Sequence, residues 1–245
     1  MNKYPKTGKY DSKWVEDNWM GPNPLQLLEE LCNNLKLSPE MKVLDMGCGK
    51  GLTSIFLAKE FGVTVFANDL WINPTENLER FITAGVSDKV FPIRAEAHAL
   101  PYANGFFDVA ISIDSYHYYG TDQLYFPEIF SKLVKPGGQF GIVCPGLIQE
   151  FEKGYPETLK SVWDEGYFSF HSANWWKNLW EKTKIVEITA CYNIPEPKEI
   201  WYPWAYWAKE NLKFDDVDFL DADIENQIAL ILLTAKKVTE EMEYD

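Results

Sequence analysis

Val43-Leu44-Asp45-Met46-Gly47-Cys48-Gly49-Lys50-Gly51 is the stretch on which the reading of this chain turns. An apolar run ends in an acid, three glycines alternate, and an apolar-periodic segment follows from Leu52 to Phe61. That order reads as a strand, a tight turn and the start of a helix. Glycine carries no side chain to obstruct a ligand and can take positive φ, so such a turn lets the backbone approach a bound molecule closely. The first N–H groups of the following helix point into the same space. Two common phosphate-binding turns do not fit. A dinucleotide fingerprint needs another glycine where Leu52 stands, and a P-loop needs Gly-Lys-Ser/Thr, whereas Lys50 is followed by Gly51 and Leu52.

Outward from this turn, strands and helices alternate. Val63 to Ala67 reads as a strand ending at Asn68-Asp69, and a helix follows Pro74 with Leu78, Phe81 and Ile82 as its apolar stripe. Val90 to Arg94 reads as a third strand and Phe107 to Ile113 as a fourth, nearly all apolar as in a strand buried on both faces. Asp122 to Leu133 reads as helical, stopped by Lys135-Pro136-Gly137-Gly138, and Gln139 to Cys144 as a fifth strand. Five alternating units imply an α/β fold with a doubly wound sheet and helices on both faces. Before the first strand, a Tyr-, Trp- and Pro-rich stretch reads as an arm over the cofactor end of the sheet, followed by a helix from Leu25 to Leu37. After Pro145 the pattern loosens. Ser172 to Lys182 reads as a helix with Ser172 as N-cap, Ile185 to Cys191 as a strand, residues 193–223 as an aromatic and acidic insertion, and Ile228 to Ala235 as the closing strand.

The 245 residues suit one domain with insertions, and the formal net charge of −14 bounds its partners. A nucleic-acid or anionic-membrane surface calls for a basic face, whereas acids dominate here from Asp215 to Glu225 and in the tail Glu240–Asp245. No apolar run approaches the length of a membrane span, and no hydrophobic segment follows Met1 to Lys6 as a secretion signal would. Cys32, Cys48, Cys144 and Cys191 are scattered and form no Cys-x-x-Cys pair. They fit reduced thiols of a cytoplasmic protein, with no metal site expected. The oligomeric state is left open.

The glycine turn, together with Asp69 after the second strand, the Glu96-Ala97 loop and Lys135-Pro136-Gly137-Gly138, resembles the class I S-adenosylmethionine (SAM)-dependent methyltransferases. The likeness covers residues 42 to 144 well and the closing strands less tightly. It implies a seven-stranded, mostly parallel sheet and a single domain. Within it, residues 1–37 form an N-terminal arm and helix and residues 38–146 the SAM-binding core. Residues 147–223 form aromatic-rich lid insertions around one late strand, and residues 224–245 a closing strand and acidic tail. By the same resemblance Asp45 lies under the methionine part of the cofactor, and Gly47, Cys48, Gly49 and Gly51 belong to the turn that holds it. Asp69 hydrogen-bonds both ribose hydroxyls, which suits a carboxylate because it accepts two bonds at once. Leu70 and Trp71 come directly after Asp69, and Trp71 or Ile72 flanks the adenine. Glu96, where the family more often has Asp, and Ala97 read the adenine amino group. Asp114 and Ser115 hold the methionine moiety, mainly by backbone.

Methyl transfer from a sulfonium needs alignment and exclusion of water more than acid–base help. If a base is required, His117 is the candidate, with the alternative that it only shapes the pocket. Tyr116 and Tyr118 are expected to wall the pocket, where aromatic rings stabilise cations by roughly 0.5 to 2 kcal/mol each. Tyr10, Trp14, Trp19 and the Trp201 to Trp207 cluster are further candidates, while Trp175 and Trp176 are expected to pack the lid. The expected activity is methyl transfer to a small-molecule nitrogen, oxygen, sulfur or carbon nucleophile. Two other readings stand beside it: a methyltransferase acting on a basic protein or peptide, and a SAM-binding module without transfer activity. A dehydrogenase is disfavoured by Leu52.

Overall fold

β1 (Lys42–Met46) sits in the middle of the sheet because it is apolar on both faces. Val43 and Leu44 are both fully buried, yet they belong to different halves of the core, one on each side of the sheet. The computed structural model describes residues 3–239, so the acidic tail Glu240–Asp245 lies outside the described residues.

In chain order the helices are α1 (Ser12–Asn18), α2 (Pro24–Cys32), α3 (Leu52–Phe61), α4 (Pro74–Thr83), α5 (Ser131–Leu133), α6 (Ala173–Glu181), α7 (Pro197–Asn211) and α8 (Asp216–Ala222). The strands after β1 are β2 (Thr64–Asp69), β3 (Val90–Arg94), β4 (Phe107–Ile113), β5 (Val134–Leu147), β6 (His171–Ser172), β7 (Val186–Asn193) and β8 (Ile228–Lys237). They align as β3-β2-β1-β4-β5-β8-β7, with the two-residue β6 paired to β5. Only β8 runs antiparallel, against β5 on one side and β7 on the other. The doubly wound, mostly parallel sheet is therefore as expected, with β6 added to the seven-strand path. Strand order reverses where β1 lies between β2 and β4, and ligands of such sheets bind beyond the carboxyl ends of the strands at that switch point.

One face of the sheet is covered by α2, α3 and α7, whose Leu28, Phe56 and Ala205 pack with Val43, Val109 and Val143. The other is covered by the segment before β5 and by α6, whose Phe130, Trp176 and Trp180 pack with Leu44, Ala110 and Ile142. Ser172 caps α6 by accepting from the Trp175 N–H, as the sequence indicates.

Three details differ from the sequence reading. The helical stretch before β5 begins at Phe126 as a π-turn, not at Asp122. β5 is longer than expected and takes in Lys135 to Gly138, with a bulge where pairing skips from Phe107↔Val134 to Val109↔Gln139. Of the expected apolar stripe on α4 only Phe81 is buried, while Leu78 and Ile82 stay exposed.

The arm is held by Glu29, a buried carboxylate on α2. It accepts from the N–H of Lys6 at 2.9 Å, the N–H of Thr7 at 2.7 Å and the Thr7 hydroxyl at 2.8 Å. Glu29→Ala leaves those buried donors without an acceptor and should cost about 2–4 kcal/mol in denaturant unfolding. It should also speed proteolysis within residues 3–13. Unchanged stability and cleavage would show that the arm is held by its aromatic contacts instead.

Candidate functional site

The glycine turn leaves β1 with φ of +74° at Gly47, +53° at Gly49 and +80° at Gly51, a region that suits glycine. Close packing adds a second constraint. A Cβ on Gly47 would lie 2.0 Å from Ser115 Oγ, and one on Gly51 would lie 2.4 Å from Phe81 Cε1. The end of β2 pins the turn. The N–H groups of Gly47 and Cys48 donate to the Asn68 carbonyl at 2.8 and 3.1 Å, and the Gly49 N–H donates to Asp69 Oδ2 at 2.9 Å. Asn77, buried on α4, donates its amide to the Gly49 carbonyl at 2.9 Å. The Cys48 side chain is buried, and burial raises its thiol pKa well above the ordinary range, so it is a protonated packing group.

Asp45 lies beneath the turn, outside the two cavities that open there. Its Oδ2 accepts from the hydroxyls of Thr53 and Ser54, both at 2.6 Å, which staples β1 to the first turn of α3. Its Oδ1 has no partner among the described residues. Burial raises its pKa to about 6 against the lowering effect of the two hydroxyl bonds.

Asp69 is buried at the end of β2 and already engaged. Besides Gly49, its carboxylate accepts from the N–H groups of Trp71 at 2.8 Å and Ile72 at 2.9 Å. A carboxylate offers about four acceptor positions, so one remains for a ligand hydroxyl. The expected hold on two hydroxyls at once would have to be shared with these N–H groups. Glu96 is clasped locally: its carboxylate accepts from the His98 N–H at 2.9 Å and pairs with the His98 ring at 2.9 Å, and that ring bond lowers its pKa. Ala97 is buried beside it, whereas Leu70 and Trp71 are exposed.

Two cavities open at this edge of the sheet. One of about 230 Å³ is lined by Leu70, Glu96, Ala97 and His98, and one of about 110 Å³ by Asn18, Met20, Gly21, Leu52 and Asp114. Gly47, Asp69, Trp71, Ser115 and Tyr118 line both, so the two are ends of one groove over the glycine turn. Trp71 and Tyr118 meet edge-on above it, ring centres 6.3 Å apart. The first cavity is largely apolar and flanked by Trp71, as a nucleoside base requires. The second is the more polar of the two, as the charged end of a cofactor requires. Of the residues that sequence reading selected, the groove gathers Gly47, Cys48, Gly49, Asp69, Leu70, Trp71, Glu96, Ala97, Asp114 and Ser115. Asn18, Met20 and Asn77 were missed as individual residues.

Asp114 sits on the sharp turn after β4 at φ +53°, its N–H donating to the Val143 carbonyl at 2.7 Å. Burial first, and Asp216 second, raise its pKa to about 8. Tyr116 and His117 are not where the sequence reading put them. Tyr116 is fully buried against Phe130, Trp176 and Trp180, on the core side of the turn Tyr116–Tyr118. A short helical turn sends successive side chains in different directions, so only Tyr118 reaches the groove. His117 is 3% exposed, lines neither cavity and packs on Tyr118 with ring centres 4.0 Å apart. Burial lowers its pKa from 6.5 to about 3, which makes it a neutral packing residue and a poor base.

This burial makes stability depend on pH. The unfolded chain binds a proton at His117 below pH 6.5 and the folded chain does not until about 3, so stability is lost as pH falls through that window. His117→Phe should flatten the acid limb of a Tm-against-pH curve between pH 6.5 and 4. An unchanged slope would place the titration elsewhere.

The other aromatic candidates pack the fold. Trp19 meets Trp204 and Trp207 edge-on at 6.0 and 6.1 Å, tying the arm to α7, and Tyr10 stacks on Trp14 over Phe56. Trp176 is buried, as expected for the lid, and Trp175 stacks on His171 at 3.7 Å.

Residues 43–138 match the family model of a methyltransferase domain. This segment therefore resembles a methyltransferase domain. A sterol 4-C-methyltransferase of Caenorhabditis elegans is 30% identical over 136 residues, which cover 54% of this chain and 39% of that protein. The phosphoethanolamine N-methyltransferase 2 of Haemonchus contortus, solved in complex with S-adenosyl-L-methionine, superposes with a TM-score of 0.72 at 19% identity. The match covers 97% of this chain and 58% of that one. A geranyl diphosphate C-methyltransferase from Streptomyces coelicolor A3(2) superposes with a TM-score of 0.69 at 15% identity over 86% of this chain and 80% of that one. These superpositions establish the fold. The chain spans less than half the length of the curated relatives it matches. Within residues 43–138 the glycine turn, Asp69 and the Glu96-Ala97 loop all border one groove at the switch point. No helix among the described residues is long and apolar enough to cross a membrane, and no group of three or more His, Cys, Asp or Glu among them could hold a metal ion.

Proposed function

We propose that this protein binds SAM in the groove over the glycine turn and transfers its methyl group to a small molecule. The observation that carries the reading is the groove's two-ended character. An apolar end bordered by Ala97 and Trp71 and a polar end bordered by Asp114 meet over Gly47 and Asp69. The relatives reported for this chain are named for sterol, phosphoethanolamine and geranyl diphosphate chemistry, all small molecules.

Bound SAM supplies a methyl group already activated on a sulfonium. The chain's own residues then have three tasks. Asp69 directs its remaining acceptor position toward the ribose and keeps the turn rigid through Gly49. Gly47 lets the turn close against Ser115 at the methionine end, where a side chain at position 47 would collide with Ser115. Asn18 and Met20 cover the polar end from the arm, excluding water from the site of transfer. Asp45 acts one layer below, fixing the start of α3 under the turn. The segments 147–223 serve as a lid over the acceptor. The free cysteines, of which Cys32, Cys48 and Cys144 are buried, support a cytoplasmic setting.

Calorimetric titration with S-adenosylhomocysteine (SAH), followed by a radiolabelled methyl-transfer screen over small amines, thiols, phenols and lipids, tests the proposal. Micromolar one-site binding and transfer to at least one class are expected. Absence of SAH binding would refute it.

A further inference from the structure

The Asp114 carboxylate stands unpaired at the polar end of the groove. It is partly buried, lines the polar cavity and accepts no hydrogen bond and no ion pair among the described residues. Its Oδ2 presses on the backbone of the arm, 1.9 Å from where a Cβ on Gly21 would stand, so the chain approaches it with glycine and offers no donor. A second carboxylate, Asp216 on α8, acts electrostatically on it; Asp216 is itself partly buried and accepts from the Trp201 indole N–H at 3.1 Å. Two acids coupled in a desolvated place are costly to ionise together, and folding alone has no reason to put them there. Lys50, the cation bordering the same cavity, is spent on the Asp17 carbonyl at 3.1 Å and is not among the groups that set the charge of Asp114. Tyr118 offers its ring at the same cavity. A carboxylate without a counterion beside an aromatic ring is the arrangement that holds a cationic nitrogen.

We infer that the acceptor is an amine, held as a cationic nitrogen against Asp114 and Tyr118 with Asp216 reinforcing the negative field. The inference rests on the methyltransferase reading and narrows it to one acceptor class. The bound ammonium gives its N–H proton to the Asp114 carboxylate, and the freed lone pair forms the N–C bond as the S–C bond breaks. Sulfur keeps that bonding pair, and the positive charge passes from sulfur to nitrogen. The proton passes to Asp114, so the site does not need the imidazole of His117, which is walled off. The net charge of −14 would also draw a cationic acceptor toward the groove.

The test uses the whole protein saturated with SAH. The probes are choline, a quaternary ammonium, and 3,3-dimethylbutan-1-ol, its uncharged carbon isostere. Calorimetry should show choline binding at least tenfold more tightly than the isostere. In protein kept saturated with SAH, Asp114→Asn should remove that preference, and Asp216→Asn should reduce it about threefold. Equal binding of the two probes, no binding of choline, or a preference that survives in Asp114→Asn would overturn the inference. A tenfold loss of SAH affinity in Asp114→Asn would assign the carboxylate to the cofactor's own ammonium and overturn it as well. Failure of the wild-type protein to bind SAH is a separate result, which undoes the methyltransferase reading itself.

Discussion

Asp69→Ala should weaken SAH binding at least tenfold, read by calorimetry on folded protein. Three backbone N–H groups, of Gly49, Trp71 and Ile72, lose their shared acceptor, and the ligand's ribose loses its own. Hydrogen bonds to a charged group contribute about 1.5–3 kcal/mol each, and a tenfold change in affinity corresponds to about 1.4 kcal/mol. A single surviving ribose contact therefore suffices for the predicted loss, and the loosened turn adds to it. The two contributions separate in a double cycle with a 2′,3′-dideoxy analogue of SAH. Direct contact makes the substitution and the missing hydroxyls non-additive, whereas additive losses would mean that Asp69 acts only by bracing the turn.

Gly47→Ala should be the most damaging small substitution in the chain, with SAH binding reduced a hundredfold or more. The φ of +74° costs an alanine roughly 1–2 kcal/mol by itself. The added Cβ would also lie 2.0 Å from Ser115 Oγ and 2.4 Å from its Cβ, so the turn and the strand end after β4 must separate. Pairing the change with Ser115→Gly removes the collision but not the strained φ. The double variant should recover about tenfold of the lost affinity, and recovery to the wild-type value would show that conformation contributes nothing.

Residues alone revealed whatever local chemistry determines. Alternating glycines after a strand require an unusual backbone, and all three take positive φ. The apolar strands, the Ser172 cap and the acid ending β2 are visible for the same reason. Side-chain direction in short turns is another matter. Tyr116, His117 and Tyr118 are adjacent and chemically similar candidates, yet the turn sends one into the core, one under a neighbouring ring and one into the groove. No periodicity over three residues distinguishes them.

The role of α7 was hidden differently. Trp201, Trp204, Ala205 and Ala208 form a buried helical stripe, but Pro203 interrupts the pattern and made the segment read as an insertion. Asn18 and Met20 reach the groove only because the Trp19 contacts with α7 bring the arm across the sheet. A contact between residues so far apart in the chain leaves no local trace. Asp69 shows a third case, in which the residue was found but its occupation by three N–H groups was not, because backbone donors are invisible in a sequence.

The most direct test of the central claim is a crystal structure of the protein with SAH. Adenine is expected in the apolar end between Trp71 and Ala97, a ribose hydroxyl on Asp69, and the sulfur above Gly47 and Ser115, directed toward Asp114. Density for SAH elsewhere on the molecule, or in the groove with its adenine at the Asp114 end, would contradict it.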